Sequence, residues 1–213
     1  MKFKTILFSA LMSSLTLCAC SGENNSTQAV KNSEAGENEV ISTIMSRRSV
    51  RDYKPNAISR DTMQIIAECG INAPNAMNKQ PWELRVVDNP DMIASMTEAF
   101  LSENPKMADD LKFRNMFRNA PTVVFIASTG DDFSKLDCGL LGENMILSAW
   151  SMGIGSCCLG GPVAFLKSEK GAPFLEKLNF SEGYTLLYAI GFGYPAEAPE
   201  AKPRDKAKVV FVD

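Results

Sequence analysis

Residues 46–53 read SRRSVRDY, three arginines within five positions of a chain whose formal net charge is −3. Upstream, Val40, Ile41, Ile44 and Met45 fall on one face at helical spacing. Downstream, Pro55 holds the residue before it in extended backbone. The stretch therefore reads as a helix exit followed by extended chain that presents Arg47, Arg48, Arg51 and the Ser49 hydroxyl together. A guanidinium is planar and can offer two parallel donors, so clustered arginine and serine suit a phosphate. A solvated basic turn has the same composition, and on these residues alone that plainer reading is favoured.

The N-terminus is a processing signal rather than part of a domain. Lys2 and Lys4 precede the apolar run ILFSALMSSLTL, which is followed by LCAC. Leu17-Cys18-Ala19-Cys20 resembles a bacterial lipobox, with an ordinary secretory cleavage near Ala19 as the alternative. The expectation is a signal peptide over 1–19, lipid on Cys20 and a flexible tether over 20–38, which holds a single Val among Ser, Asn, Gly and Glu. The domain then runs over 39–213, exported and attached to a membrane by lipid alone. Losing Lys2 and Lys4 makes the balance still more acidic, which argues against nucleic acid as a partner.

Helices and strands mix without regular alternation. Ser59 caps a helix containing Met63, Ile65, Ile66 and Cys69, and a polar loop, NAPNAMNKQP, leads to the strand WELRVV. DMIASMTEAFLSE reads as a helix. Lys112, Arg114 and Arg118 fall on another, beside Asp109 and Asp110. APTVVFIAST is a buried strand. DCGLLGENMILSAWSMG, apolar on nearly every side, is a core or interface helix. SCCLGG is a short strand entering a glycine turn. Two short helices follow, near 162–168 and 172–178, then the strand YTLLYAIGFGYP and a closing strand, KVVFVD. The class is α+β, in one domain.

The chain has no histidine. That removes Ser-His and Cys-His nucleophile pairs and every histidine-based metal site. Cys69, Cys138, Cys157 and Cys158 match no zinc spacing, so no metal is expected, and small buried apolar residues are the favoured reading of all four. Redox chemistry carried by a bound cofactor is untouched by these absences. A second basic island, KPRDKAK, holds Lys202, Arg204, Lys206 and Lys208. The loop APNAMNKQPW offers carboxamides without charge, groups that suit the edge of a heterocycle.

In order, RRSVRDY, APNAMNKQPWEL, GIGSCCLGG and the tail GYPAEAPEAKPRDK resemble the FMN-dependent nitroreductase family, from about Glu39 to the C-terminus. The resemblance implies a central mixed sheet flanked by helices, an intertwined homodimer, and FMN at the dimer interface. Arg47, Arg48 and Ser49 would reach the phosphate and ribityl chain, and Arg51 the pyrimidine edge. Pro74, Asn75, Ala76, Met77 and Asn78 would come from the second subunit. Leu159, Gly160 and Gly161 would offer backbone near the reactive edge, and Lys202 and Arg204 would complete the phosphate clamp. No side chain serves as nucleophile or base; the flavin would pass hydride between an NAD(P)H-type or other small donor and a small aromatic or quinone-like acceptor. The chain departs from the family pattern at Glu83 and Cys158, and the family's middle-region flavin ligand has only Arg114 and Asn115 as candidates. Two other readings compete: a non-catalytic flavin-binding or sensing lipoprotein on the same fold, and thiol chemistry at Cys157–Cys158.

Overall fold

A computed structural model describes residues 38–212. The signal peptide, Cys20 and all but the end of the tether lie outside the described residues.

Four strands form the sheet: β1 (Trp82–Val87), β2 (Thr122–Ser128), β3 (Gly155–Leu159) and β4 (Thr185–Gly193). Their order is β1-β2-β4-β3, and every adjacent pair is antiparallel. A parallel bridge between Ser49 and Ser156, outside the outer edge of β3, adds the parallel component. The sequence of β2 explains its central place. TVVFIAS has no solvent-facing position, and all its residues are buried. Val123 and Phe125 pack into one hydrophobic cluster and Val124 and Ile126 into another, one on each face of the sheet.

Among the described residues there are six α-helices, and all but the first pack on these faces. α1 (Glu39–Ser46) is capped by Asn38, whose Oδ1 accepts from Val40 N at 3.0 Å. α2 (Arg60–Ile71), capped by Ser59, packs with α4 (Asp132–Ser151) in the cluster that holds Met63, Ile66, Leu141 and Met145. α3 (Pro90–Glu103), α5 (Gly161–Leu166) and α6 (Ala172–Leu178) supply Ile93, Met96, Phe165 and Leu178 to the opposite cluster. α4 begins earlier than its apolar stretch, because Asp131 accepts from Ser134 N at 2.8 Å and caps it there.

Two expected elements are absent among the described residues. Residues 110–120 form turns rather than a helix, because Asn115 and Asn119 bond the local backbone and compete with the helical ladder. Residues 209–212 are not a strand: Phe211 is 91% and Val212 93% exposed, with no strand pairing with them among the described residues.

Candidate functional site

The arginine stretch is stitched into the fold on both sides. Val50 N donates to Ser156 O at 3.0 Å, while Lys54 N donates to Tyr194 O at 2.8 Å and Ala196 N to Asp52 O at 3.0 Å. Val50 and Tyr53 are fully buried, whereas Arg51 between them is exposed. Tyr53 donates to Val50 O at 2.5 Å, and burial drives its phenol well above the usual tyrosine range. The arginines divide here. Arg48 Nη1 donates to Met45 O at 2.9 Å and Arg47 O at 2.8 Å, capping the end of α1. Arg51 Nη1 donates to Ser49 O at 3.1 Å. The half-buried Arg47 guanidinium has no hydrogen bond or ion pair among the described residues.

Beside this segment lies a cleft of about 530 Å³. Its floor is the turn from β3 into α5, with Leu159, Gly160 and Gly161. Arg51 and Glu197 form one wall, and the segment from Met107 to Asn119 forms the other. Glu197 accepts from Arg51 N at 2.5 Å and fixes the start of the C-terminal tail against the cleft. The glycines of this region serve different purposes. A Cβ on Gly155 would lie 2.8 Å from Val50 Cγ2, and one on Gly193 would lie 2.7 Å from Pro121 Cδ, so the strands' own packing requires glycine there. A Cβ on Gly160 or Gly161 would meet nothing within 4 Å. No described residue crowds either position, and Gly160 is also the N-cap of α5.

Of the residues expected at a flavin site, Arg51, Leu159, Gly160 and Gly161 meet in this cleft, and Arg47 and Ser49 lie just before Arg51 on the same segment. Arg48 lies on that segment too, with its Nη1 on the helix cap. Pro74–Asn78 are placed elsewhere, against α4: Ala76 N donates to Asp137 Oδ2 at 3.2 Å and Gln80 N to Asn75 Oδ1 at 2.8 Å. Met77 and Asn78 there adopt left-handed backbone, both with φ 53°. Lys202 and Arg204 are not part of the cleft. They lie on the exposed tail, where Arg204 Nη1 donates to Lys202 O at 3.1 Å. Arg114 pairs with Asp52 at 3.2 Å and donates to Tyr53 O. Asn115 lines the cleft with its amide bonded to Ala120 O at 3.1 Å. The sequence reading missed Lys112, Arg118 and Glu197 as cleft residues. A helix assignment hid the first two; the third carries no local signal.

Cys157 and Cys158 follow one another on β3 and so point to opposite faces. Cys157 is buried and Cys158 exposed. Burial, the leading cause, raises both thiols above their ordinary range, and Cys138 is pushed up to about 11. Neutral thiols facing apart are poorly arranged as a redox pair. Among the described residues, no group of three or more His, Cys, Asp or Glu could hold a metal ion.

The family model of the nitroreductase family matches residues 44–194. The chain belongs to the nitroreductase family. Within this family it resembles a nitroreductase with bound FMN from Desulfitobacterium hafniense at 29% identity, with a TM-score of 0.72 over 83% of this chain and 99% of the other. A nitroreductase with bound FMN from Bacteroides fragilis matches at 26% identity and TM-score 0.72, over 83% of this chain and 100% of that one. The NADPH-flavin oxidoreductase of Vibrio harveyi is 28% identical over 184 residues, 81% of this chain and 72% of the relative. Nitroreductase membership accounts for the α+β fold with its antiparallel sheet.

Proposed function

We infer that this chain is an FMN-dependent oxidoreductase whose flavin lies across the Gly160-Gly161 turn. The observation that carries this is the pairing of that open turn with a neighbouring extended segment bearing an unpartnered arginine. Arg47 and Ser49 donate to the phosphate, as their freedom and position allow. Arg51 stands in the cleft itself, where a cation stabilises negative charge on the pyrimidine edge. Backbone at Leu159–Gly161 faces the ring. Bound there, FMN supplies two-electron chemistry at N5, in separate half-reactions with a nicotinamide-type donor and a small aromatic or quinone-like acceptor.

The active form is a homodimer, with Pro74–Asn78 of a second copy completing the site. Exposed apolar residues support this, among them Val40 and Met45 on α1 and Val209–Val212 on the tail. The chain acts outside the cytoplasm, anchored through lipid on Cys20, as LCAC and the polar tether indicate.

The deciding experiment is the visible spectrum of the protein purified without added flavin. Oxidised-flavin bands, with FMN released on heating, are expected; a protein that stays colourless after incubation with FMN overturns the assignment. Parallel double-reciprocal plots test the separate half-reactions, light scattering tests the dimer, and release of Cys20→Ala from the membrane fraction tests the anchor.

A further inference from the structure

Two cations of the cleft remain unused by the flavin reading. Lys112 and Arg118 line its wall on the segment between α3 and β2. Neither side chain forms an ion pair or a hydrogen bond among the described residues. The three acids that line the cleft with them keep their charge but accept bonds from other groups. Asp110 accepts from Lys112 N at 2.9 Å, Asp52 pairs with Arg114 at 3.2 Å, and Glu197 holds Arg51 N at 2.5 Å. Arg47, to which the flavin phosphate is assigned, stands outside the cleft lining. A phosphate bound there leaves Lys112 and Arg118 available.

Their placement is built rather than incidental. Asn119 Oδ1 accepts from Arg114 N at 2.7 Å and Asn115 N at 3.1 Å, and its amide donates to Lys112 O at 2.8 Å. Asn115 Oδ1 accepts from Phe117 N at 2.9 Å and Asn119 N at 3.0 Å. This network holds Arg118 at φ 58°, a conformation that long side chains seldom adopt and that glycine or asparagine would take more easily. An arginine kept at a strained position, exposed and facing the cleft, needs a reason beyond the turn itself. The same wall carries Phe113, stacked on Phe100 with ring centroids 6.4 Å apart, so an apolar aromatic surface lies beside the two charges.

We propose that Lys112 and Arg118 select a small aromatic acceptor bearing a carboxylate as the second ligand of the cleft. This rests on the flavin reading above. Arg118 is the specificity-determining residue and binds the carboxylate through its planar fork, with Lys112 reinforcing it as a second charge. Neutral aromatics of the same shape enter the cleft without that attraction.

The test uses the FMN-loaded protein and two unreactive, nearly isosteric probes, benzoate and benzamide, titrated at low ionic strength while the flavin band is followed. A chain that takes up no FMN fails before this point, and that failure removes the flavin reading itself. With FMN bound, benzoate is expected to bind about tenfold more tightly than benzamide, and added salt to erode the difference. Arg118→Gly, which suits the left-handed backbone, should abolish the preference while leaving benzamide affinity and FMN content unchanged. Lys112→Gln, which leaves the turn untouched, should reduce the preference by a smaller factor. Benzoate binding no tighter than benzamide in the parent protein, or an undiminished preference in Arg118→Gly, overturns the proposal. Loss of ADP binding in these variants with benzoate unaffected would assign the cations to a nucleotide donor and overturn it as well.

Discussion

The two outer strands of the sheet, β1 and β3, treat their cations in opposite ways. At β1 every arginine is consumed by the protein. Arg85 donates to Leu178 O at 2.8 Å and Asn179 O at 2.6 Å, pairs with Glu83 at 2.7 Å, and lies 4.8 Å from the ring centre of Phe180. Arg60 forks onto Asp88 at 2.6 and 2.8 Å. At β3 the segment that carries the arginine cluster pairs with the strand's outer edge, yet neither Arg47 nor Arg118 across the cleft has a partner among the described residues. Gly160 and Gly161 leave open space beside them. At the β1 edge both arginines close the structure; at the β3 edge Arg48 and Arg114 do the same, while Arg47 and Arg118 carry no partner among the described residues. Charge composition alone cannot separate these roles, but the partners can.

The largest effect should come from breaking the closed edge. Arg85→Ala leaves the Leu178 and Asn179 carbonyls without their donor and costs about 2–3 kcal/mol. A fall in Tm of roughly 4–12 °C follows for a domain of this size. Calorimetry measures it, and the FMN dissociation constant should not move. A shift in FMN affinity with unchanged Tm would erase the distinction between the edges. At the open edge the two readouts exchange places. Arg47→Ala removes a charge-assisted phosphate contact, so FMN affinity should fall about tenfold or more while the Tm of the flavin-free protein holds.

The glycines sharpen the same contrast at a smaller scale. Gly155→Ala drives a methyl into Val50, which is fully buried, and should cost about 1–2 kcal/mol with little change in FMN affinity. Gly160→Ala meets no protein atom, so stability should stay within about 0.5 kcal/mol while flavin binding weakens. Equal destabilisation of the two variants would show that the turn after β3 is shaped by packing, not by a ligand.

Legibility in the sequence follows the same division. β2, the cap at Ser59 and the helix α3 rest on local periodicity and local chemistry, and they are where the residue pattern places them. The tail strand is absent because Val209, Val210, Phe211 and Val212 have apolar spacing but no partner strand among the described residues. A strand is a pairing, and pattern alone does not supply one. Lys112 to Arg118 has charges at helical spacing, yet Asn115 and Asn119 spend their side chains on the backbone and fold the segment into turns. At the cleft, Arg51, Leu159, Gly160 and Gly161 were legible as lining residues from two local motifs. Glu197 was not, because its role depends on the tail returning to Arg51, 146 positions away in sequence.

Glu83 gives the smallest effect and the finest test of the closed edge. It stands next to Trp82 in the loop-to-strand motif. The fold explains it without a ligand: Glu83 Oε2 accepts from Ser181 N at 3.0 Å and from Arg85 at 2.7 Å. The bonds from Ser181, then Arg85, hold its carboxyl below the usual glutamate range. A folded value below the unfolded one, about 4.3, means the stabilisation is complete above that value. As pH falls through it, the unfolded chain takes up the proton first, and acid favours unfolding until the folded carboxyl is protonated too. Between pH of about 6 and about 3 the Tm of the parent protein should therefore drop more than that of Glu83→Gln, in which this carboxyl no longer titrates. Because the group is partly exposed and one of several acids, the gap should be no more than a few degrees. Parallel acid curves for the two proteins would mean that Glu83 does not serve the β1 edge, and its charge would then need a ligand to explain it.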